Sequence, residues 1–425
     1  MASYLRSFAE RASEVVFDQF GGRFHDLGPE NIEESLSEEA QALYHEVFQD
    51  VDCSRIIDYH VHLVGQETER TGCYCHPSLL EGNNVLQRFK ANCFLSAMNV
   101  KRDDSDEAYL ERLMALCENG CPPRLVERDG GHWRMCGLAL DYAHDTSGDA
   151  NPGRTSLHIP NDYSYDVACK RHTSFIPTCS IHPYRADAVT ELKRCRDRGV
   201  RLIKWLPNSQ DLNPASAQCD AFYDAVREMD MVILSHTGDE HSLTAGSVEN
   251  SYGNPLLLKR ALDRGCKIIM AHCASEGTFL DLEANEPERS RRIPGVDLMI
   301  RMMSRPEYEG LLFADISAVI GTLRAKHLKT ILSAEHIHDR LVYGSDYPVP
   351  AINVVSSTKQ LWILGLITWK DAQLLNEIYR FNPLVYDFAV KRKLSFEGHR
   401  FPVTVFQEHP KLIMTHWRKN APGKN

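Results

Sequence analysis

What most constrains this chain is an alternation that runs along most of its length. A short apolar burst is followed by a polar or Gly/Pro-marked break and then by a stretch with helical spacing. Eight bursts are present, at Arg55–Leu63, Met135–Tyr142, Ser174–Ile181, Arg201–Leu206, Met231–Ser235, Lys267–Ala271, Leu311–Ile316 and Leu341–Gly344. Several are rich in Ile, Val and Leu without clean apolar/polar alternation, the pattern of strands buried on both faces of a parallel sheet. Between them, Asp187–Gly199 carries Leu192 and Cys195 at helical spacing and stops on a glycine. Pro214–Met229 runs straight into the next burst, and Asn254–Gly265 has Pro255 just inside its start and Gly265 at its end. Such repetition specifies parallel βαβ units, and eight of them either close into a barrel or lie open as a doubly wound sheet.

Two segments exceed a plain repeat. Residues 64–134 separate the first two bursts by about three helices' worth of sequence, including Leu79–Phe94 and Asp106–Cys117. Residues 143–171 are polar, with turn signals at Asn151-Pro152-Gly153 and Asn161-Asp162. In a barrel both would lie over the C-terminal face, where substrate loops sit. Residues 1–54 read as a helical N-terminal extension, 55–390 as the barrel, and 391–425 as a charged tail beyond the Asn382-Pro383 break.

With 43% hydrophobic and 25% charged residues, the composition suits a soluble globular protein with a sizeable core. A net charge of −10 and no basic cluster argue against a nucleic-acid or anionic-membrane partner, because nothing offsets phosphate repulsion. Met1–Phe20 lacks a continuous apolar run and reads as an amphipathic surface helix, not a secretory signal. Leu361–Ile367 is too short to span a bilayer. The 13 scattered cysteines resemble free thiols of a cytoplasmic protein more than a disulfide framework. Cys73 and Cys75 beside His76 form one Cys-x-Cys without a partner pair, a weak zinc signal.

The chemistry is concentrated at the strand ends. Ile57-Asp58-Tyr59-His60-Val61-His62 closes the first burst, and its two histidines, two residues apart on a strand, share a face. Lys204 closes the fourth burst, His236 the fifth, His272 the sixth and Asp346 the eighth. A lone histidine at a strand end is ordinarily a satisfied polar residue; six such groups in one ordered series point to a metal centre, since neutral imidazoles ligate zinc, iron or manganese.

That order (His-x-His, Lys, His, His and Asp on strands one, four, five, six and eight) resembles the amidohydrolase superfamily. The Gly344-Ser345-Asp346-Tyr347-Pro348 sequence and the Asn382-Pro383 break are similar to its amidohydrolase-related branch of metal-dependent TIM-barrel hydrolases. The resemblance implies a (β/α)₈ TIM barrel with the N-terminal extension and helical insertions over its C-terminal face. It implies His60, His62, His236 and Asp346 as ligands of a divalent metal, Zn first, with Mn or Fe as alternatives. Asp346 would also take the proton of a metal-activated water. His272 would orient substrate, act as acid or base, or bind a second ion. Lys204 divides the branches: carboxylated, it bridges two metals; unmodified, it faces a substrate carboxylate or Asp346.

By position alone His182 and Arg185, in the His-Pro-Tyr-Arg stretch after the third burst, are candidate substrate-binding residues, with Arg185 suited to a carboxylate. Trp205 and Asp315 read as packing or support for the site, and Asp239 and His241 as neighbours of His236. The leading expectation is hydrolysis of a C–O or C–N bond in a small molecule: a lactone, ester or cyclic amide. Non-oxidative decarboxylation of an aromatic or enol-type acid is the second, and a non-catalytic metal-binding barrel the third. Many such barrels pair, so a homodimer is compatible with the sequence.

Overall fold

The computed structural model describes residues 28–80, 85–101, 104–241 and 248–414. Met1–Phe20 therefore lies outside the described residues. Eight parallel strands form one sheet: β1 (Ile57–His62), β2 (Arg134–Leu138), β3 (Phe175–Cys179), β4 (Leu202–Trp205), β5 (Val232–Ser235), β6 (Lys267–Met270), β7 (Leu312–Asp315) and β8 (Leu341–Val342). Each expected burst overlaps one of them, β2 beginning one residue before its burst, and they lie in sequence order around the sheet. Nearly every strand residue is buried, as the unbroken apolar runs require.

Closure comes from hydrogen bonds between the two ends of the sheet. Tyr59 N donates to Tyr343 O (3.0 Å), His62 N to Tyr347 O (3.0 Å) and Asp346 N to His60 O (2.8 Å). The sheet is thus a barrel, and its seam itself sets Asp346 beside His60 and His62. Pairing of β1 with β2 shifts register between Asp58 and Val61, a bulge that re-aims side chains at the strand's end.

The helices differ from expectation in places with identifiable causes. Asn161-Asp162, read as a turn, begins the helix Asn161–Lys170: Pro160 is extended (ψ 148°) and the two polar residues fill a first turn. The Asn254–Gly265 stretch starts as a 3₁₀ turn, Pro255–Leu258, before the α-helix Lys259–Asp263.

The largest difference lies at the C-terminus. Beyond the break, the chain forms a helix, Pro383–Lys393, begun by Asn382, whose side chain accepts from Leu384 N and Val385 N. Residues Pro383 to Lys391 of this helix are buried, as are Phe401, Val405, Phe406, Leu412 and Met414. The helix Glu38–Phe48 from the N-terminal segment covers it, with Phe48 stacked on Phe388 at 4.5 Å. Both segments share one hydrophobic core with the barrel. Inside it, Lys391 Nζ donates to Asp387 (2.6 Å) and to Gly344 O (2.8 Å), so a buried ion pair supports the strand end that carries Asp346.

The described cysteines are all free thiols, most of them buried. No helix among the described residues is long and apolar enough to cross a membrane.

Candidate metal centre

His60, His62, Lys204, His236, His272 and Asp346 line a single cavity of about 510 Å³ at the C-terminal mouth of the barrel. All six strand-end residues singled out in the sequence thus meet in one place. His60 Nε2, His62 Nε2 and an Asp346 oxygen lie within 4.8 Å of one another. Asp346 Oδ1 is 3.2 Å from His60 Nε2 and 3.1 Å from His62 Nε2. Lys204 Nζ stands 2.8 Å from His60 Nε2. A second group within the same distance is His60, His272 and Asp315; His236 falls in neither group and stands next to His272, with ring centroids 5.0 Å apart, as are those of His60 and His272.

Local backbone explains how these side chains converge. Gly344 leaves room for His60, since a Cβ there would sit 2.9 Å from His60 Cβ. His272 and Asp346 both adopt positive φ, 59° and 66°, and Cys273 and Ala274 continue the turn at 48° and 47°. Such conformations of residues other than glycine cost of order 1–3 kcal/mol each and gather where a side chain must be aimed. From the insertion, Tyr109 OH donates to His62 O (2.6 Å), and Asp106 accepts from Gln66 N (2.8 Å) and Thr71 Oγ1 (2.8 Å), pinning the loop after β1.

The hydrogen-bond chain assigns the tautomers. His60 Nδ1–H donates to Asp315 Oδ2 (2.9 Å). Ser317 Oγ–H donates to Asp315 Oδ1 and accepts from His272 Nδ1–H (2.7 Å). His272 Nε2 then accepts from His236 Nδ1–H (3.2 Å). One relay from His236 to His60 therefore leaves the Nε2 lone pairs of both rings facing the cavity. Among the described residues, the buried His236 Nε2 has no hydrogen-bond partner, and Glu240 Oε2 is 3.7 Å away. Buried nitrogen lone pairs aimed at a carboxylate, each imidazole held from behind, fit a divalent cation.

The electrostatics agree. Burial, then Lys204, holds His60 below the usual imidazole range, and burial brings His236 down to about 4 and His272 well down, so all three are neutral donors at pH 7. Burial opposes ionisation of Asp346, whereas positive charge on His272, His60 and His62 pulls the carboxyl well below the ordinary range; with those rings neutral, a bound cation would do the same. Burial lowers Lys204 to about 8 against the pull of Asp346, Asp315 and Glu240.

Other expected residues fall elsewhere. His182 and Arg185 are not among the residues lining the cavity. His182 Nε2 faces Gln210 O (3.1 Å) and its Nδ1 accepts from Tyr184 N (3.3 Å); Arg185 is bound to Asp141 (2.9 Å) and Asp187 (2.9 Å). Trp205 is fully buried, donating to Ile181 O (2.9 Å). Asp315 is the hub of the relay, whereas His241 lines the cavity and stands 3.4 Å from Glu276. Cys73, Cys75 and His76 do not form a ligand cluster among the described residues: His76 Nδ1 is taken by Ser78, and burial raises the two thiols to about 12 and 11.

Sequence reasoning missed Ser317, Arg324, Glu240 and Glu276. The two glutamates share a legible signal, each lying four residues after a strand-end histidine, His236 and His272. Arg324 Nη2 contacts Glu276 at 3.0 Å, while its buried Nη1 has no hydrogen-bond partner among the described residues.

Comparison with known proteins follows from this geometry. The family profile described as Amidohydrolase matches residues 138–364, just over half of the chain, including Lys204, His236, His272 and Asp346 but not His60 or His62. No curated protein matches the sequence. Among solved structures, it is similar to an uncharacterised TIM-barrel protein from Bordetella bronchiseptica, at 15% identity and a TM-score of 0.39 over 76% of this chain and 99% of that one. A Pseudomonas putida protein provisionally assigned as a 2-pyrone-4,6-dicarboxylic acid hydrolase gives 16% identity and a TM-score of 0.40 over 79% and 98%. A 2,6-dihydroxybenzoate decarboxylase from Rhizobium gives 14% and 0.38 over 80% and 99%. The profile spans six of the eight strands, and four of the six strand-end groups that meet in the cavity stand on them: this chain is an enzyme of the amidohydrolase family.

Proposed function

We propose that the protein hydrolyses a C–O or C–N bond at a carbonyl (a lactone, ester or cyclic amide), with His60, His62, His236 and Asp346 holding one divalent ion, zinc first. The observation that carries the reading is the relay from His236 through His272, Ser317 and Asp315 to His60, which leaves the Nε2 of His60 beside the Asp346 carboxylate (3.2 Å) and the buried Nε2 of His236 toward Glu240 (3.7 Å), both in rings that line the cavity. Bound there, a divalent ion would lower the pKa of a water and polarise the substrate carbonyl.

Asp346 supplies the base. Its carboxylate is ionised, and while Oδ1 faces His60 and His62, Oδ2 lies 4.0 Å from His272 Nδ1. It takes the water's proton as the water oxygen bonds to the carbonyl carbon. As the acyl C–O or C–N bond breaks, the same proton passes to the leaving oxygen or nitrogen. His272, held by Ser317 and His236, keeps a neutral imidazole beside that carboxylate. Lys204 donates to the His60 edge of the site and, with a value of about 8, is partly neutral in mildly basic solution.

A panel of lactones, esters and cyclic amides incubated with the zinc-loaded protein in ¹⁸O-labelled water tests this. The expected result is one labelled oxygen in the acid product. Release of CO₂ from carboxylic acids without label uptake, and no turnover of the panel, would assign a decarboxylase instead.

A further inference from the structure

Above its polar floor the cavity changes character, and the change bears on which substrate fits. Helix Val85–Met98 of the first insertion packs across the mouth against the turn Val349–Ala351 beyond β8. Phe94, Met98 and Ile352 form an apolar sleeve over the ligand histidines. The sleeve continues to the outside: Phe89, Leu323 and Val354 all line the cavity, yet are 36%, 57% and 51% exposed. Exposed large apolar side chains scattered singly are ordinary; three around one opening, continuous with a buried apolar wall, mark a surface that meets an apolar ligand.

Charge in the cavity points the same way. Arg324 is the arginine that lines it among the described residues, and Glu276 already pairs with it, with Glu240 close by. Lys90, Lys101 and Lys204 line it too, but five acidic side chains face these four cations, so a substrate with several carboxylates would meet no excess of positive charge and an apolar wall besides.

We propose that the natural substrate class has one hydrolysable polar end and a long apolar body, as in an alkyl-substituted lactone or fatty acyl ester. The polar end sits at the metal ligands, and the apolar body passes through the sleeve to the rim of Phe89, Leu323 and Val354. This rests on the hydrolytic reading above and adds what that reading leaves open, the chemistry of the rest of the substrate.

Calorimetric binding of γ-butyrolactone, γ-octanolactone and γ-dodecanolactone to the zinc-loaded full chain tests it, with phthalate as the dianionic comparison. Affinity should rise by about fourfold per methylene while the sleeve fills, the factor expected for burying a CH₂ group. Leu323→Asp and Val354→Asp, at exposed positions where folding is not at stake, should weaken γ-dodecanolactone at least ~10-fold and leave γ-butyrolactone and zinc content unchanged. Equal affinity along the series, no binding of γ-dodecanolactone, or tighter binding of phthalate would overturn the proposal. Length-dependent binding without ring opening would sink the hydrolytic reading alone; ring opening without length dependence would sink this one alone.

Discussion

Beyond β3, His182 and Arg185 surround the buried carboxylate of Asp141; beyond β7, Ser317 and Arg324 accompany the buried carboxylates of Asp315 and Glu276. Both loops follow a strand at the catalytic end of the barrel and carry similar residue types. Their polar atoms are engaged differently. After β3, Asp141 accepts from His182 N (2.8 Å), Tyr142 N (2.9 Å) and Arg185 Nη1 (2.9 Å), a set closed on itself and away from the cavity. After β7, Asp315 turns its bonds toward His60, His272 N and Ser317, and Arg324 keeps Nη1 unpaired. A position at a strand end brings a side chain near the mouth; what its remaining donors and acceptors do decides whether it serves the site.

Exchanging equivalent residues tests that contrast. Asp315→Asn should lower zinc affinity by about 10- to 100-fold, because His60 loses the acceptor that fixes its ring. Asp141→Asn should leave zinc affinity unchanged and instead lower unfolding free energy by about 3–5 kcal/mol, the range for breaking a buried charge pair. Competition with a zinc chelator and urea unfolding read the two outcomes; zinc loss in both variants would erase the distinction.

The arginines give a smaller effect. Arg324→Gln removes a charged donor that lines the cavity and should raise KM by roughly 10-fold, the size of one charge-assisted hydrogen bond, with kcat much less affected. Arg185→Gln should leave KM within about twofold, since surrounding contacts of Arg185 are to Asp141 and Asp187 and not to the cavity.

The same loop also makes a prediction about pH. Burial, with His144 adding to it, lowers His182 to about 3, whereas the unfolded chain titrates near 6.5. Between those values the unfolded state binds a proton that the folded state refuses. The stabilising contribution is therefore whole above pH ~6.5 and is lost as pH falls, by up to ~1.4 kcal/mol per pH unit from this residue. His182→Asn should flatten the fall in Tm between pH 6.5 and 4, and an unchanged slope would mean that His182 is not the titrating group.

The parts of the site legible in the sequence are those carried by strands. His60, His62, Lys204, His236, His272 and Asp346 each end an apolar run, and a parallel strand buried on both faces cannot end on such a residue without delivering it to the mouth. Arg324 lies nine positions past Asp315 in a loop, and Tyr109 reaches His62 O from an inserted helix; no periodicity connects either to the site. The C-terminal segment was illegible for another reason. Lys391, Arg392 and Lys393 open the expected charged tail, but they belong to the helix Pro383–Lys393, and Lys391 pairs with Asp387 inside the core under cover of Glu38–Phe48. That neutralisation depends on contacts hundreds of residues apart in the chain.

The central claim is that two histidines of β1, one after β5 and the aspartate after β8 hold one ion. Titration of the metal-free protein with Co²⁺, followed by its visible ligand-field absorption, tests it most directly. The account predicts saturable binding with a spectrum of mixed nitrogen and oxygen ligands, weakened at least ~100-fold in His60→Ala and in His236→Ala, consistent with loss of a direct metal ligand. Absence of Co²⁺ binding, or an identical spectrum and affinity in His236→Ala, would contradict it.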